Sequence, residues 1–282
     1  MNENKIEIEN VETKQNSESA QQKIVDQNTG FIVPVDIISL PSQGKIYPRE
    51  SALYRCSELE VRHLTAPDED ILTSASLIRS GKMIDTLLSN CIKNKAVKVE
   101  EMISGDKNAI MVFLRVSGYG HSYDIKLDCP FCNENIKWSF DLSKLQMNVL
   151  EVDPIAEGTN RFKFTLPSKN FIEFKFLNSK EDKEINDTLE NIKKKLGMVI
   201  DRNVTLRLKK QILSINNNEE SSLINKFVDS MPVSDTRALR KYISKIEPDI
   251  IMKQDFTCSN CGKTEEVDVP ITTEFFWPDT GV

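Results

Sequence analysis

Two pairs of cysteines constrain this chain more than any other feature. Cys129 and Cys132 stand in Cys-Pro-Phe-Cys, and Cys258 and Cys261 stand in Cys-Ser-Asn-Cys-Gly. A two-residue spacer folds into a tight turn that aims both sulfurs, and nearby backbone N–H groups, at one point. Two such turns complete a tetrahedral shell of four sulfurs with no open position. Gly262, just after the second pair, supplies the permissive backbone such a turn uses. The opening residues, MNENKIEIENVETKQ, lack the apolar run of a secretory leader, so a reducing compartment is expected. There, paired CxxC spacings mean metal more often than disulfide. The expectation is a structural zinc ion on Cys129, Cys132, Cys258 and Cys261. A thioredoxin-like redox role fits poorly, because neither pair opens a helix after a buried strand. Cys56 and Cys91 stand alone.

The intervening stretch, Asn133 to Thr257, is 125 residues long. Zinc ribbons separate their pairs by about 15–20 residues. The chain is therefore a ribbon with a long insertion, or it carries two unrelated turns. The flanks favour the ribbon. YDIKLD and NIKWSFDL surround the first pair, and IMKQDF and EEVDVPI surround the second. Each is an alternating strand, a turn and another alternating strand. The expected fold is α+β, with zinc-ribbon-like β hairpins joined across a long, mainly helical insertion, and an N-terminal helical segment.

Four parts follow. Residues 1–30 are polar, have few apolar side chains and read as a disordered tail. Residues 31–150 form an N-terminal α+β part with the first knuckle. Within it, Phe31 to Leu40 and Leu59 to Leu64 read as strands, with a turn at Pro41–Gly44. Thr65 caps a helix whose first-turn acids, Asp68, Glu69 and Asp70, suit the positive end of the dipole. Further helices are expected from Lys82 to Ile92 and from Asp106 to the glycines at 118 and 120. Residues 151–250 hold a strand pair about Pro167–Asn170 and a helical block from Lys180 to Ile246. The stripe Ile185, Leu189, Ile192, Leu196 continues there through Leu206, Leu208, Ile212, Leu213 and Ile215. Residues 251–282 hold the second knuckle and an aromatic tail. The words Leu40-Pro-Ser42 and Leu166-Pro-Ser168 both follow alternating apolar runs, which hints at an internal duplication.

Catalytic motifs are missing. The chain has no GxSxG, HExxH, P-loop or GxGxxG, and only two histidines, His63 and His121. No enzymatic activity and no small-molecule substrate are expected. With 37 Lys+Arg against 43 Asp+Glu, the net charge of −6 argues against a protein that coats nucleic acid or anionic lipid. No run approaches the roughly 20 apolar residues of a membrane span. Lys193–Lys195 and the Arg207, Lys209, Lys210 group are interleaved with acids and read as solvated helix faces. Three adjacent aromatics, Phe275, Phe276 and Trp277, cannot all face one core from a strand. They are candidate partner anchors, the alternative being rings that cap the second hairpin.

Taken in order, several segments carry a resemblance. They are LPSQGKIYP, TAPDEDILTSASLIRSGKMIDTLLSNCI, GDKNAIMVFLRVSGYGHSY, CPFC, DTRALRKYISKIEPDI, CSNCG and a closing FFWP. This order resembles the baseplate hub assembly proteins of T4-like contractile-tailed phages, the T4 baseplate protein family, over about residues 31 to 280. The resemblance implies a non-enzymatic protein that helps build the central hub of the tail baseplate, as an assembly factor or a hub subunit. Its partners would be phage hub proteins. Its place would be the host cytoplasm during assembly, or the tail baseplate of the virion. No catalytic residue is carried over. The competing expectation is a zinc-ribbon, nucleic-acid-binding regulator. A tail peptidoglycan hydrolase is a third, requiring a carboxylate pair in a cleft.

Overall fold

The structure is a computed structural model, and it describes residues 22–25, 32–196, 202–271 and 275–276. The chain opens with an antiparallel sheet of β1 (Gln22–Val25), β2 (Ile32–Ser39) and β3 (Glu58–Arg62), in that order. Four helices follow: α1 (Ala66–Thr73), α2 (Ala75–Ser80), α3 (Met83–Cys91) and α4 (Ser104–Tyr119). The first hairpin is β4 (Ser122–Asp128) with β5 (Asn135–Asp141), and β6 (Gln146–Asn148) comes next. The second part starts with β7 (Phe162–Thr165) and β8 (Phe171–Phe174). It continues through α5 (Ser179–Leu196), α6 (Asn203–Gln211), β9 (Ile212–Ile215), α7 (Ser221–Ser230) and α8 (Val233–Ile246). It closes with β10 (Asp249–Ile251), β11 (Lys253–Thr257) and β12 (Thr264–Asp268). The fold is mixed helix and small antiparallel sheet, as expected, and the N-terminal helical segment is present.

The local reasons are legible. At the start of α1, the Thr65 N–H and O–H both donate to the Asp68 carboxylate at 2.8 Å. Arg62 at the end of β3 and Asn90 in α3 reach the same carboxylate, so this helix-start acid also locks strand to helices. α4 buries Ile110 and Leu114, one turn apart on its inner face.

Three expectations need correction. Ile212, Leu213 and Ile215 do not extend the helical stripe. They form β9, which pairs with β8 through Ile172 and Ile215. A short run with isoleucine at both ends suits a sheet, and Asn216 and Asn217, both at positive φ, end it. Residues 22–25 of the expected tail form β1, an edge strand on β2, while the rest of 1–30 lies outside the described residues. The helix expected to start at Asp106 begins two residues earlier, so Asp106 is the third residue of α4.

The hint of duplication gains substance. Asp106 is the third residue of α4 and Asp235 the third of α8. Both are fully buried. Asp106 accepts from the Ser42 N–H at 2.9 Å, and Asp235 accepts from the Ser168 N–H at 3.1 Å. Thus each Leu-Pro-Ser turn is anchored by the first turn of a later helix. Each helix then leads to a knuckle at the same interval: 129 − 106 and 258 − 235 both give 23 residues. The buried helix positions keep that register, because Ile110 and Leu114 plus 129 give Leu239 and Ile243, also buried. The 125-residue stretch between the cysteine pairs repeats the turn-then-helix order of the part that precedes it. The two parts are called units below on the strength of these matched positions.

One apolar core runs through both units, from Leu40 to Phe276. β10 of the second unit pairs with β6 of the first, and the Pro248–Asp249 backbone lies directly on the first turn of α4. Gly105 permits that approach, since a Cβ there would overlap the Pro248 carbonyl oxygen and lie 2.8 Å from the Asp249 Cα.

Candidate metal centre

Contacts between the units bring the two hairpins side by side. Gln254 of β11 bridges to the Asp141 backbone of β5, donating to its carbonyl at 2.6 Å and accepting from its N–H at 3.1 Å. The Trp138 and Phe256 rings meet edge to face, 5.1 Å between centroids. The Tyr123 hydroxyl donates to the Pro270 carbonyl at 3.1 Å. On α4, Arg115 donates to the Gly120 and Ser122 carbonyls at 2.6 and 2.8 Å, fixing how β4 leaves the helix.

The hairpin tips have matching geometry. In the first, Asn133 N–H donates to the Cys129 carbonyl at 2.8 Å and Cys129 N–H to the Glu134 carbonyl at 2.9 Å. In the second, Gly262 N–H donates to the Cys258 carbonyl and Cys258 N–H to the Lys263 carbonyl, both at 2.9 Å. Asn133 and Gly262 occupy the same place in the turn, with φ of 56° and 68°. Glycine and asparagine tolerate this left-handed geometry best, which is why one of each serves here.

The four sulfurs converge within 4.8 Å of one another. Cys129 Sγ lies 3.8 Å from Cys261 Sγ, and Cys132 Sγ lies 3.8 Å from Cys258 Sγ. Exchanging the two units turns one of these contacts into the other, so a pseudo-twofold axis passes through the centre. A disulfide needs sulfurs about 2.05 Å apart. A tetrahedral shell with metal–sulfur bonds of about 2.3 Å has sulfurs about 3.8 Å apart. The donor set therefore fits a tetrahedral thiophilic ion, the class that takes zinc or iron on four thiolates.

The surroundings fit as well. Cys129 and Cys258 are buried with Phe256 in a small apolar cluster, flanked by Leu127, Ile136, Trp138 and Val267. Cys261 N–H points at Cys258 Sγ at 3.4 Å, and the Asn260 side-chain amide reaches Cys132 Sγ at 3.7 Å. These donors favour thiolate. In the bare thiol cluster, the Lys263 backbone N–H draws the Cys261 pKa down. Burial and the neighbouring Cys258, Cys129 and Cys132 sulfurs outweigh it and leave it at about 11. A cation is what releases protons from thiols crowded this way.

The other sequence-derived candidates are placed as follows. Phe275 and Phe276 are 0 % and 2 % exposed, and Phe275 packs edge to face on Tyr123. Both rings belong to the main core and are not exposed as anchors. Trp277 lies outside the described residues. His63 is held by Asp36 at 2.8 Å against the Phe113 ring, a structural role. Arg207 pairs with Asp182 at 2.7 Å, Lys209 with Asp229 at 2.7 Å and Lys210 with Glu184 at 2.8 Å, so that basic group is neutralised within the fold. The buried aspartates at the two Leu-Pro-Ser turns were missed. Their equal spacing to the cysteine pairs was the available signal. Among the described residues no helix is long and apolar enough to cross a membrane.

A protein-family model described as T4 bacteriophage base plate protein matches residues 35–277. The chain belongs to this baseplate family. No curated protein and no solved structure matches it. The baseplate match starts within β2 and runs past Phe276, so both units and all four cysteines fall inside it, while β1 lies outside.

Proposed function

We propose that this baseplate protein helps assemble the central hub of the phage tail baseplate through protein–protein recognition, and that one zinc ion on Cys129, Cys132, Cys258 and Cys261 holds its two units in register. The observation that carries the reading is the convergence of two equivalent knuckles, one from each half of a baseplate-family chain, on a single four-sulfur centre. With all four positions taken by sulfur, the ion has no site for a substrate, so its role is structural. Bound zinc supplies a positive charge that four thiolates share. The residues of this chain do the remainder. Asn133 and Gly262 shape the turns, Asn260 and the Cys261 N–H orient sulfur lone pairs, and Trp138 and Phe256 keep water from one side. Clamping ends this far apart in sequence restrains the unfolded chain and favours the folded unit pair.

The protein acts without turnover, on hub proteins, in the host cytoplasm during assembly or in the tail itself. The test is to coexpress it with its neighbouring tail proteins, isolate hub intermediates and finished baseplates, and quantify this chain by mass spectrometry. Presence at fixed stoichiometry in finished particles makes it a subunit, and presence only in intermediates makes it an assembly factor. Its absence from both overturns the proposal.

A further inference from the structure

The duplication exposes an asymmetry between α4 and α8. The outer face of α4 is covered. Asn108 donates to the Asp249 carboxylate at 2.9 Å, Met111 is buried, Val112 packs on the core, and Gly105 admits the Pro248–Asp249 backbone. An extended segment carrying an acid, Pro248-Asp249, therefore lies on this face. Adding 129 to Gly105, Asn108, Met111 and Val112 gives Ser234, Arg237, Arg240 and Lys241 on α8. All four are exposed. The three cations line an open cleft of about 650 Å³ between α8 and α6, with the exposed Val204 on the opposite wall. Among the described residues no carboxylate pairs with Arg237, Arg240 or Lys241, whereas α6 has its Arg207, Lys209 and Lys210 each matched to an acid.

We propose that this cleft is a docking groove for an acidic, extended segment of a partner protein. That segment would lie on α8 as Pro248–Asp249 lies on α4. The charge is complementary and the corresponding face shows the binding mode. Replacing Asn108 by Arg237, and Met111 and Val112 by Arg240 and Lys241, turns a face built for a neighbouring segment of the same chain into one that attracts a more acidic one. Nucleic acid is the poorer occupant, since no aromatic ring lines the cleft for base stacking. Such rim charges act mainly on encounter rate and partner choice. The inference rests on the hub-assembly reading and names the surface that reading requires.

The test uses the full chain and the triple variant Arg237→Glu, Arg240→Glu, Lys241→Glu, with Lys93→Glu as an exposed control outside the cleft. Circular dichroism and melting first establish that each variant is folded. Fluorescence anisotropy then compares a short labelled peptide of alternating glutamate and valine, its glutamine counterpart and a DNA duplex. The expected result is binding of the acidic peptide alone, weakened at least about tenfold by the triple variant and unchanged by the control. Absence of peptide binding, equal binding by the triple variant, or preference for the duplex overturns the inference. A self-association in light scattering that the triple variant abolishes also overturns it, by making the occupant a second copy. Recovery of both wild type and triple variant in hub intermediates sinks the cleft and leaves hub assembly standing. Recovery of neither sinks hub assembly itself.

Discussion

The two buried aspartates at equivalent positions should differ sharply in what they contribute. Asp106 accepts three hydrogen bonds: from the Ser42 N–H at 2.9 Å, the Ser42 hydroxyl at 2.6 Å and the Tyr47 hydroxyl at 2.6 Å. Tyr47 in turn accepts from the Ile103 N–H at 3.1 Å, just before α4. Asp106→Ala therefore strands three buried donors at the junction of the first turn and the helix. Each orphaned donor costs about 1–3 kcal/mol, and the relief of a buried carboxylate returns part of that, so a loss of about 4 kcal/mol is expected. Asp235 accepts one bond, from the Ser168 N–H at 3.1 Å, and its Oδ2 has no partner among the described residues. Asp235→Ala removes that unsatisfied oxygen together with the single bond, so its cost should be about 1 kcal/mol or less. Urea unfolding of the full chain at fixed zinc and pH measures both, read as midpoint shifts at unchanged slope. A loss for Asp235→Ala equal to or above that for Asp106→Ala would refute this reasoning, as would a loss below about 1.5 kcal/mol for Asp106→Ala.

Other consequences follow from the packing. Gly105→Ala drives a methyl into the Pro248–Asp249 backbone and should cost about 2–4 kcal/mol, while Ser234→Ala at the equivalent exposed position should stay within about 0.5 kcal/mol; thermal melts compare them. Arg62→Ala leaves the buried Asp68 without its guanidinium, 2.5 and 2.9 Å away, and should cost about 3–5 kcal/mol near neutral pH in denaturant titrations. Burial alone would raise the Asp68 pKa, but Arg62 and Thr65 overcome it and hold it at about 2. A depressed carboxylate stabilises above its unfolded pKa, so this contribution should fade as pH falls from about 4 towards 2, and Arg62→Ala should lose that dependence. Glu247 behaves oppositely: burial first, then Asp249, push it to about 7 from an ordinary 4.5, against the pull of Arg207. Its ionisation should weaken the fold as pH rises from 4.5 to 7, by up to roughly 3 kcal/mol, and melts of Glu247→Gln should show that slope flattened.

Much of the architecture was legible because the chemistry is local. Alternating strands on either side of each CxxC define both hairpins, and Thr65 before Asp68 marks a helix start. The four-sulfur grouping was legible because paired two-residue cysteine spacers have few uses other than holding a metal. What sequence reading missed depends on tertiary context. Ile212–Ile215 has the apolar content of a helix stripe, and only its partner β8 makes it a strand. Phe275, Phe276 and Trp277 looked unable to share one core, yet Phe275 packs on Tyr123 and Phe276 packs edge to face on Phe275, both buried. The duplication was visible only as two Leu-Pro-Ser words and two CxxC hairpins, because the intervening helices differ in length and β9 interrupts the second set. The buried Asp–Ser contacts reveal which positions correspond, and from them the constant interval to the cysteines.

The most direct test of a two-unit protein clamped by one metal is elemental analysis of the purified full chain, coupled to melting before and after chelation. The account predicts one zinc per chain, four sulfurs at about 2.3 Å by X-ray absorption, loss of the metal in Cys132→Ser and in Cys261→Ser alike, and a clear drop in melting temperature when zinc is stripped. A metal-free chain with four titratable thiols, melting at the same temperature with and without chelator, would contradict it.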